Sequence, residues 1–466
     1  MSRGSLSGIE GQGRWRSRTA LAAVAVGERA CACSRRAVSE LLACLLAAGL
    51  LAAPARAQLR GTISGPGQTA FPVGIAAPRG DAEIAKSFVA VLVRDLELSG
   101  LFSVVRPPPV GGPADRGIET GELDLAGWTA IGARWIVGLA IQRDGSGAVG
   151  VEARLIDAAD GQSVGGKRYQ GSRAEVAQMG DRFADHVLFL LTGERGPFDS
   201  ALAFISTRGG RFKEIWMTPA RGDAARPLTQ HRSIHLSPNW APDAHKLLFT
   251  SFMQGRPAVY EINVDSLKVR KVMGGSGTAM GASFSPSGDA IALAREVADG
   301  DSQIVVLRLG SKKIDVVSSE KTIDVSPSWS PDGRRLAFCS GRAGTPQIFI
   351  ADLDAGTVRR LSFQGGYNTE PAWSPKGDRI AYTGRIGGRF QIFVHELEEN
   401  RVQQVTNSGG DNTSASWSPD SRYLAFSSSR SGRDEVWLSD WHGWRQTRLI
   451  EGSGGDTSPA WSGWLE

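Results

Sequence analysis

The sequence predicts a mainly β chain: a six-bladed β-propeller preceded by a small α/β domain. Two observations carry that prediction. Trp240, Phe284, Trp329, Trp373, Trp417 and Trp461 recur at spacings of 44, 45, 44, 44 and 44 residues, a period that chance does not produce and that suits a four-stranded propeller blade. Ahead of residue 197 the rhythm stops, and helix-period and strand-period segments alternate instead.

The first 57 residues read as an export signal. Arg35 and Arg36 precede an apolar run from Leu41 to Ala53, and Ala55-Arg56-Ala57 supplies the small-x-small pattern read by a signal peptidase. The run is about 13 residues, short of the roughly 20 that span a bilayer as a helix. A lipid-attachment reading at Leu41-Leu42-Ala43-Cys44 is disfavoured because apolar residues continue beyond Cys44, and twin-arginine export has only Arg35-Arg36 behind it. Eight of the 53 Lys and Arg, but three of the 48 acids, lie in this leader, so what remains is balanced at 45 of each. The basic charge therefore belongs to the address, and an overall basic nucleic-acid binder is excluded. Three of four cysteines, Cys31, Cys33 and Cys44, are also there; Cys339 alone remains, too few for a disulfide framework or a thiolate metal cluster.

Residues 58–196 read as the α/β domain with a mobile tail from Gln58 to Thr69. Phe71 to Ala76 predicts a strand. Asp81 to Leu98 predicts a helix, with Ile84, Phe88, Val91, Leu92 and Leu96 on one face and Gly100 as its stop. Strands are expected over Leu101 to Val105 and Trp135 to Ile141, with a short helix near Leu125 to Ile131 between them. A hairpin from Val149 to Gln170 and a helix capped by Ser172 and running to Leu191 complete it. Gly196-Pro197 is the linker to residues 197–466, the propeller.

Each propeller period offers four strands: the Trp segment, a Leu-Ala-Phe segment such as Leu336 to Phe338, an aromatic-aliphatic segment such as Gln347 to Ile350, and a last one such as Val402 to Val405. Turns such as Pro331-Asp332-Gly333 separate them. The Trp fills the wedge between twisted sheets. The sixth copy stops just after Trp461, and the strands it needs are at Ala201 to Ser206, Glu214 to Met217 and Pro227 to Thr229. The ring is expected to close by pairing them with the C-terminal strand.

Little catalytic chemistry is legible. Gly161 to Gly165 formally matches a nucleophile elbow, and Gly161 to Lys167 nearly matches a phosphate loop, but both motifs need a strand leading into a helix, and this stretch reads as a hairpin turn. The six histidines read as scattered, with no acid arranged around them, so no metal and no cofactor is expected. Asp352-x-Asp354-x-Gly356 reads as turn chemistry, not a calcium loop. What remains is surface: the residues before each Trp motif, at the mouth of the central channel, are candidates for partner binding. They are His235, Met280, Asp324, Thr369, Glu370, Thr413 and Thr457.

An export leader, a small α/β domain and a Trp-Ser-Pro-Asp-Gly repeat whose last copy is cut short together resemble the TolB family, periplasmic components of the Tol-Pal system. The resemblance covers the whole chain. It implies a non-enzymatic, monomeric scaffold that supports outer-membrane integrity and cell division. Its propeller would dock a Pal-like peptidoglycan-associated lipoprotein, and its mature tail, here Gln58, Leu59, Arg60 and Ile63, would engage a TolA-like inner-membrane protein. The tail departs from expectation in having only Leu59 and Ile63 apolar; the second blade has Phe284 for Trp and Ser287 for Asp. Two other classes stay open: an exported propeller hydrolase, which needs an acid beside a histidine such as Asp324 near His235, and a carbohydrate-binding propeller, which favours aromatics that the candidate mouth residues lack.

Overall fold

Phe71–Ile75 (β1) lies at the heart of a mixed sheet, parallel both to Phe102–Val105 (β3) and to Trp135–Arg143 (β4). The molecule is seen in a computed structural model that describes residues 70–106, 117–145, 147–275, 277–297, 300–450, 452 and 454–465. The leader and the tail residues Gln58, Leu59, Arg60 and Ile63 lie outside the described residues. From β4 the sheet continues antiparallel through Val149–Asp157 (β5) and Ser163–Gly171 (β6), and the two-residue Arg79–Gly80 (β2) pairs with β4. The expected hairpin is thus the outer part of a three-strand meander, because β4 runs on past Ile141.

Helix α1 (Ala82–Leu98) is capped as anticipated: the Asp81 carboxylate accepts the backbone N–H groups of Glu83 and Ile84, which the first turn leaves without helical partners. It packs with α3 (Val176–Thr192) on one sheet face, where Ile84, Phe88 and Leu92 meet Phe183, Val187 and the inward residues Val137 and Leu139 of β4. Ahead of α3, Ser172 and Glu175 form a reciprocal capping box around a 3-10 turn. The short α2 (Leu125–Ala130) covers the opposite face with Trp128. Gly74 is obligatory beneath it, since a Cβ there would stand 2.4 Å from the indole ring.

The rest is a ring of six four-stranded antiparallel sheets. Five are consecutive in sequence, with first strands His235–Trp240, Ala279–Phe284, Asp324–Trp329, Asn368–Trp373 and Asn412–Trp417. The sixth combines the C-terminal Asp456–Trp464 with Ser200–Ser206, Glu214–Pro219 and Arg226–Pro227, the closure the sequence called for. The first strands touch one another around the ring and are innermost. Anchoring aromatics are buried between sheets, and several donate to the blade before: Trp240 Nε1 to Ala460 O, Trp329 Nε1 to Ser283 O and Trp417 Nε1 to Ala372 O, at 2.9, 3.1 and 2.9 Å. Bonding the indole N–H removes the cost of burying it unpaired.

The α/β part sits against the end of the ring that carries the connections from first to second and third to fourth strands. Tyr423 Oη donates to Ser99 O at 2.7 Å, Trp464 Nε1 to Gly196 O at 2.7 Å, and Glu194 pairs with both Lys376 and Arg422. Successive strands alternate in direction, so the other connections, and the start of every first strand, lie on the opposite face, left uncovered by the described residues of the α/β part.

Candidate functional site on the uncovered face

Every first strand carries one extra residue against its neighbour, with the register shifting between Leu236 and Asn239, Met280 and Ser283, Val325 and Ser328, and equivalently in the other three blades. The third residue of each strand takes a left-handed backbone: Ser237, Gly281, Ser326, Glu370, Ser414 and Ser458, at φ of 49° to 60°, five of them not glycine. Six such bulges in one ring bend the inner strands alike. A hydroxyl of the preceding blade helps hold three of them, with the N–H of Gly281, Ser414 and Ser458 donating to Thr250, Thr383 and Ser427 at 3.0, 3.1 and 2.8 Å.

The bulge decides which residues meet solvent. Second in each first strand stand Leu236, Met280, Val325, Thr369, Thr413 and Thr457, all half-buried and in one register around the mouth. Met280, Thr369, Thr413 and Thr457 are four of the residues singled out from sequence. His235 and Asp324 are corrections. Both are first in their strands and wholly buried, so neither side chain is available to a partner at the surface. A one-residue change of register turns a strand side chain to the other face, and the 44-residue period itself points to Leu236 and Val325 as the missed equivalents. Glu370 is half-buried, and its carboxylate already ties two blades by accepting from Thr383 Oγ1 at 2.8 Å and from Ser414 N and Oγ at 2.8 and 3.1 Å.

Around this mouth the connections are apolar. Of eleven exposed large hydrophobic residues among those described, Ile234, Val297, Ile323, Phe363, Tyr367 and Ile386 are on the uncovered face, with Phe363 73% and Ile323 57% exposed. Ile234, Ile323 and Tyr367 each immediately precede a first strand and form a discontinuous apolar rim. Sequence reasoning missed them because the same position is Thr278, Asp411 and Gly455 in the other three blades, so the repeat does not mark it as apolar. Clustering on one face is what distinguishes them from ordinary scattered surface apolars.

The histidine reading also needs correction. Glu214, His231 and His235 each bring a ligand-type atom to within 4.8 Å of the others. His235 Nε2 stands 3.2 Å from Glu214 Oε2, yet neither ring nitrogen of His235 has a hydrogen-bond partner. Burial pushes the imidazole down to about 4, against the opposing pull of Glu214. Burial acts to raise the Glu214 carboxyl, but the Thr229 hydroxyl, His235 and the backbone N–H groups of Arg232 and His231 hold it below the usual range. Asp324, the acid a hydrolase would need beside His235, is instead paired with Arg342 at 3.1 Å. The other expectations are simpler. Asp352 to Gly356 is a turn in which the Asp352 carboxylate accepts the N–H of Asp354 and Ala355, and Gly161 is in the turn between β5 and β6. Burial pushes the Cys339 thiol up to about 11, which leaves it protonated and unreactive at neutral pH.

Among the described residues no helix is long and apolar enough to cross a membrane. Residues 189–465 match the family described as TolB beta propeller domain, and residues 59–164 that described as TolB amino-terminal domain. A protein TolB homolog of Chlorobium luteolum is 33% identical over 304 residues, 63% of this chain and 67% of that protein. The Tol-Pal system protein TolB of Bordetella parapertussis is 32% identical over 322 residues, 69% of this chain and 71% of that one. The crystal structure of TolB from Acinetobacter baumannii superposes with a TM-score of 0.74 at 23% identity, covering 85% of this chain and 97% of that chain, a likeness of fold.

Proposed function

The chain belongs to the TolB family, and from that premise we propose that it is a non-enzymatic, monomeric periplasmic component of a Tol-Pal envelope system. Its uncovered propeller face docks a Pal-like peptidoglycan-associated lipoprotein, and its tail engages a TolA-like inner-membrane protein. The observation that carries the docking reading is the apolar rim of Ile234, Ile323, Phe363 and Tyr367 around a mouth lined by Met280, Thr369, Thr413 and Thr457. An exposed apolar rim around a mouth of three apolar and three hydroxyl positions is what a protein partner can cover while keeping the mouth's hydroxyls bonded. The α/β part occupies the far end of the ring, so a partner on this face leaves it free.

The reading is tested by measuring binding of the purified chain to a peptidoglycan-binding lipoprotein from the same envelope. Ile323→Asp together with Phe363→Asp should weaken binding tenfold or more with an unchanged Tm, because both side chains are exposed. Deleting residues 58–69 should spare that interaction and remove binding to the inner-membrane partner. No lipoprotein binding, or binding indifferent to the double substitution, overturns the assignment of this face.

A further inference from the structure

The heads of the first strands are held in different ways, and one of them is a buried histidine. First-strand heads in three blades are Asp324, Asn412 and Asp456, each held by an arginine two residues after the second strand's serine: Arg342, Arg430 and Arg208. In the blade that begins at His235, that position is Met253, and the arginine clasp is missing. The imidazole at the head has no hydrogen bond at either nitrogen although it is fully buried. A buried polar group without a partner calls for an explanation, and here the surroundings supply one.

We infer that Glu214, His231 and His235 form a site for a divalent transition metal of the zinc type, stapling the closing blade to the blade that follows it. The donor set is two imidazoles and one carboxylate, borderline ligands that suit Zn2+; Ca2+ and Mg2+ take oxygen ligands. Zinc bonds of roughly 2.0–2.2 Å place two tetrahedral ligands about 3.3 Å apart, and His235 Nε2 and Glu214 Oε2 are 3.2 Å apart without the alignment of a hydrogen bond. Two of the ligands are on rigid strands whose backbones are tied locally, His235 N donating to Lys213 O at 3.0 Å. The carboxylate is oriented from outside, accepting from Thr229 Oγ1 at 2.6 Å and from Arg232 N at 2.7 Å, and a carboxylate keeps lone pairs to spare. His231 is exposed on the connecting segment and needs only a local side-chain movement to close on the other two. Three protein ligands leave a fourth position open toward solvent on the face proposed for docking.

The test is calorimetric titration of ZnCl2 into the metal-free full chain, with its thiols alkylated so that Cys31, Cys33 and Cys44 cannot bind the ion. Wild type should bind one equivalent and gain in Tm on binding. His231→Ala should weaken binding at least tenfold and lose the Tm gain, while its metal-free Tm stays that of wild type. Glu214→Gln should behave likewise and is tolerated by the fold, because Gln347 stands at the same blade position and accepts from Ser362 Oγ as Glu214 does from Thr229. Co2+ should give the intense visible bands of a four-coordinate ion in wild type and not in His231→Ala. Absence of zinc binding, equal binding by both variants, or displacement of zinc by millimolar Ca2+ overturns the site.

Discussion

At the head of the first strand, different residues solve one problem in the same way. Arg342 donates through Nε to Ser340 Oγ and through Nη2 to Asp324, and lies over the Phe338 ring; Arg430 repeats this with Ser428, Asn412 and Phe426, and Arg208 with Ser206, Asp456 and Phe204. A planar guanidinium can bond two acceptors at its edge while its face stacks on an aromatic ring, which lysine cannot do. Asp324 is wholly buried, so removing it strands a charge with little access to water. Asp324→Ala should therefore cost on the order of 3 kcal/mol in urea-unfolding free energy. Asp324→Asn should recover most of that loss, since Asn412 holds Arg430 at 2.9 Å. Equal losses from the two substitutions would show that the side-chain oxygen is not what matters.

The closing strand is the element on which the ring depends. Asp456–Trp464 pairs with Ser200–Ser206; Ser462 Oγ accepts Ala201 N, Trp461 Nε1 donates to Ser200 Oγ, and Ala460 O receives the indole of Trp240 in the next blade. Deleting residues 457–466 removes all three ties and turns Ser200–Ser206 into an edge strand with unpaired backbone groups. Amides of Ser200–Ser206 should then lose hydrogen-exchange protection, and the truncated chain should self-associate on a sizing column. A truncated chain that stays monomeric with those amides protected would refute closure by this strand. The element was legible because the repeat counts strands: a first strand without followers at one end and three strands without a leader at the other can be matched on paper. The bulge in every first strand was not legible, since the residues that adopt it are serine in four blades, glycine in one and glutamate in another.

At the scale of the molecule, the α/β part and the ring meet over buried acids. Asp95 of α1 and Asp181 and Asp185 of α3 lie together; Arg221 from the ring pairs with Asp181, and the N–H groups of Phe198 and Asp199 bond Asp185 at 2.8 and 3.0 Å. Arg182 and Arg195 both pair with Asp199 at the rim of the cluster. Burial pushes Asp181 up to about 6, Asp185 up to about 7 and Asp95 well up, the last also repelled by its acidic neighbours. Folded values above the unfolded ones mean that the native state holds protons which the unfolded chain releases. This contribution is complete below about pH 4, the unfolded carboxyl range, and is lost as pH rises through 6 and 7. Asp95→Asn, neutral throughout, should raise Tm at pH 8 more than at pH 5 and flatten the pH dependence; parallel Tm profiles for wild type and variant would contradict this. Part of it was legible: Asp95 falls on the apolar face of α1, seven residues after Phe88 and three after Leu92, and is buried with them. Its partners were not, because Asp181, Asp185 and Arg221 are far away in sequence and only the fold brings them together. The sequence by itself determined the number of blades, their anchoring aromatics and the way the ring closes, since a 44-residue period maps directly onto one blade of fixed width. Only the tertiary structure decided which of two adjacent residues at each strand head faces the mouth, because strand side chains alternate and one bulge reverses them. It alone also decided that His235 meets Glu214, since that contact joins neighbouring blades and leaves no trace in either blade's own pattern.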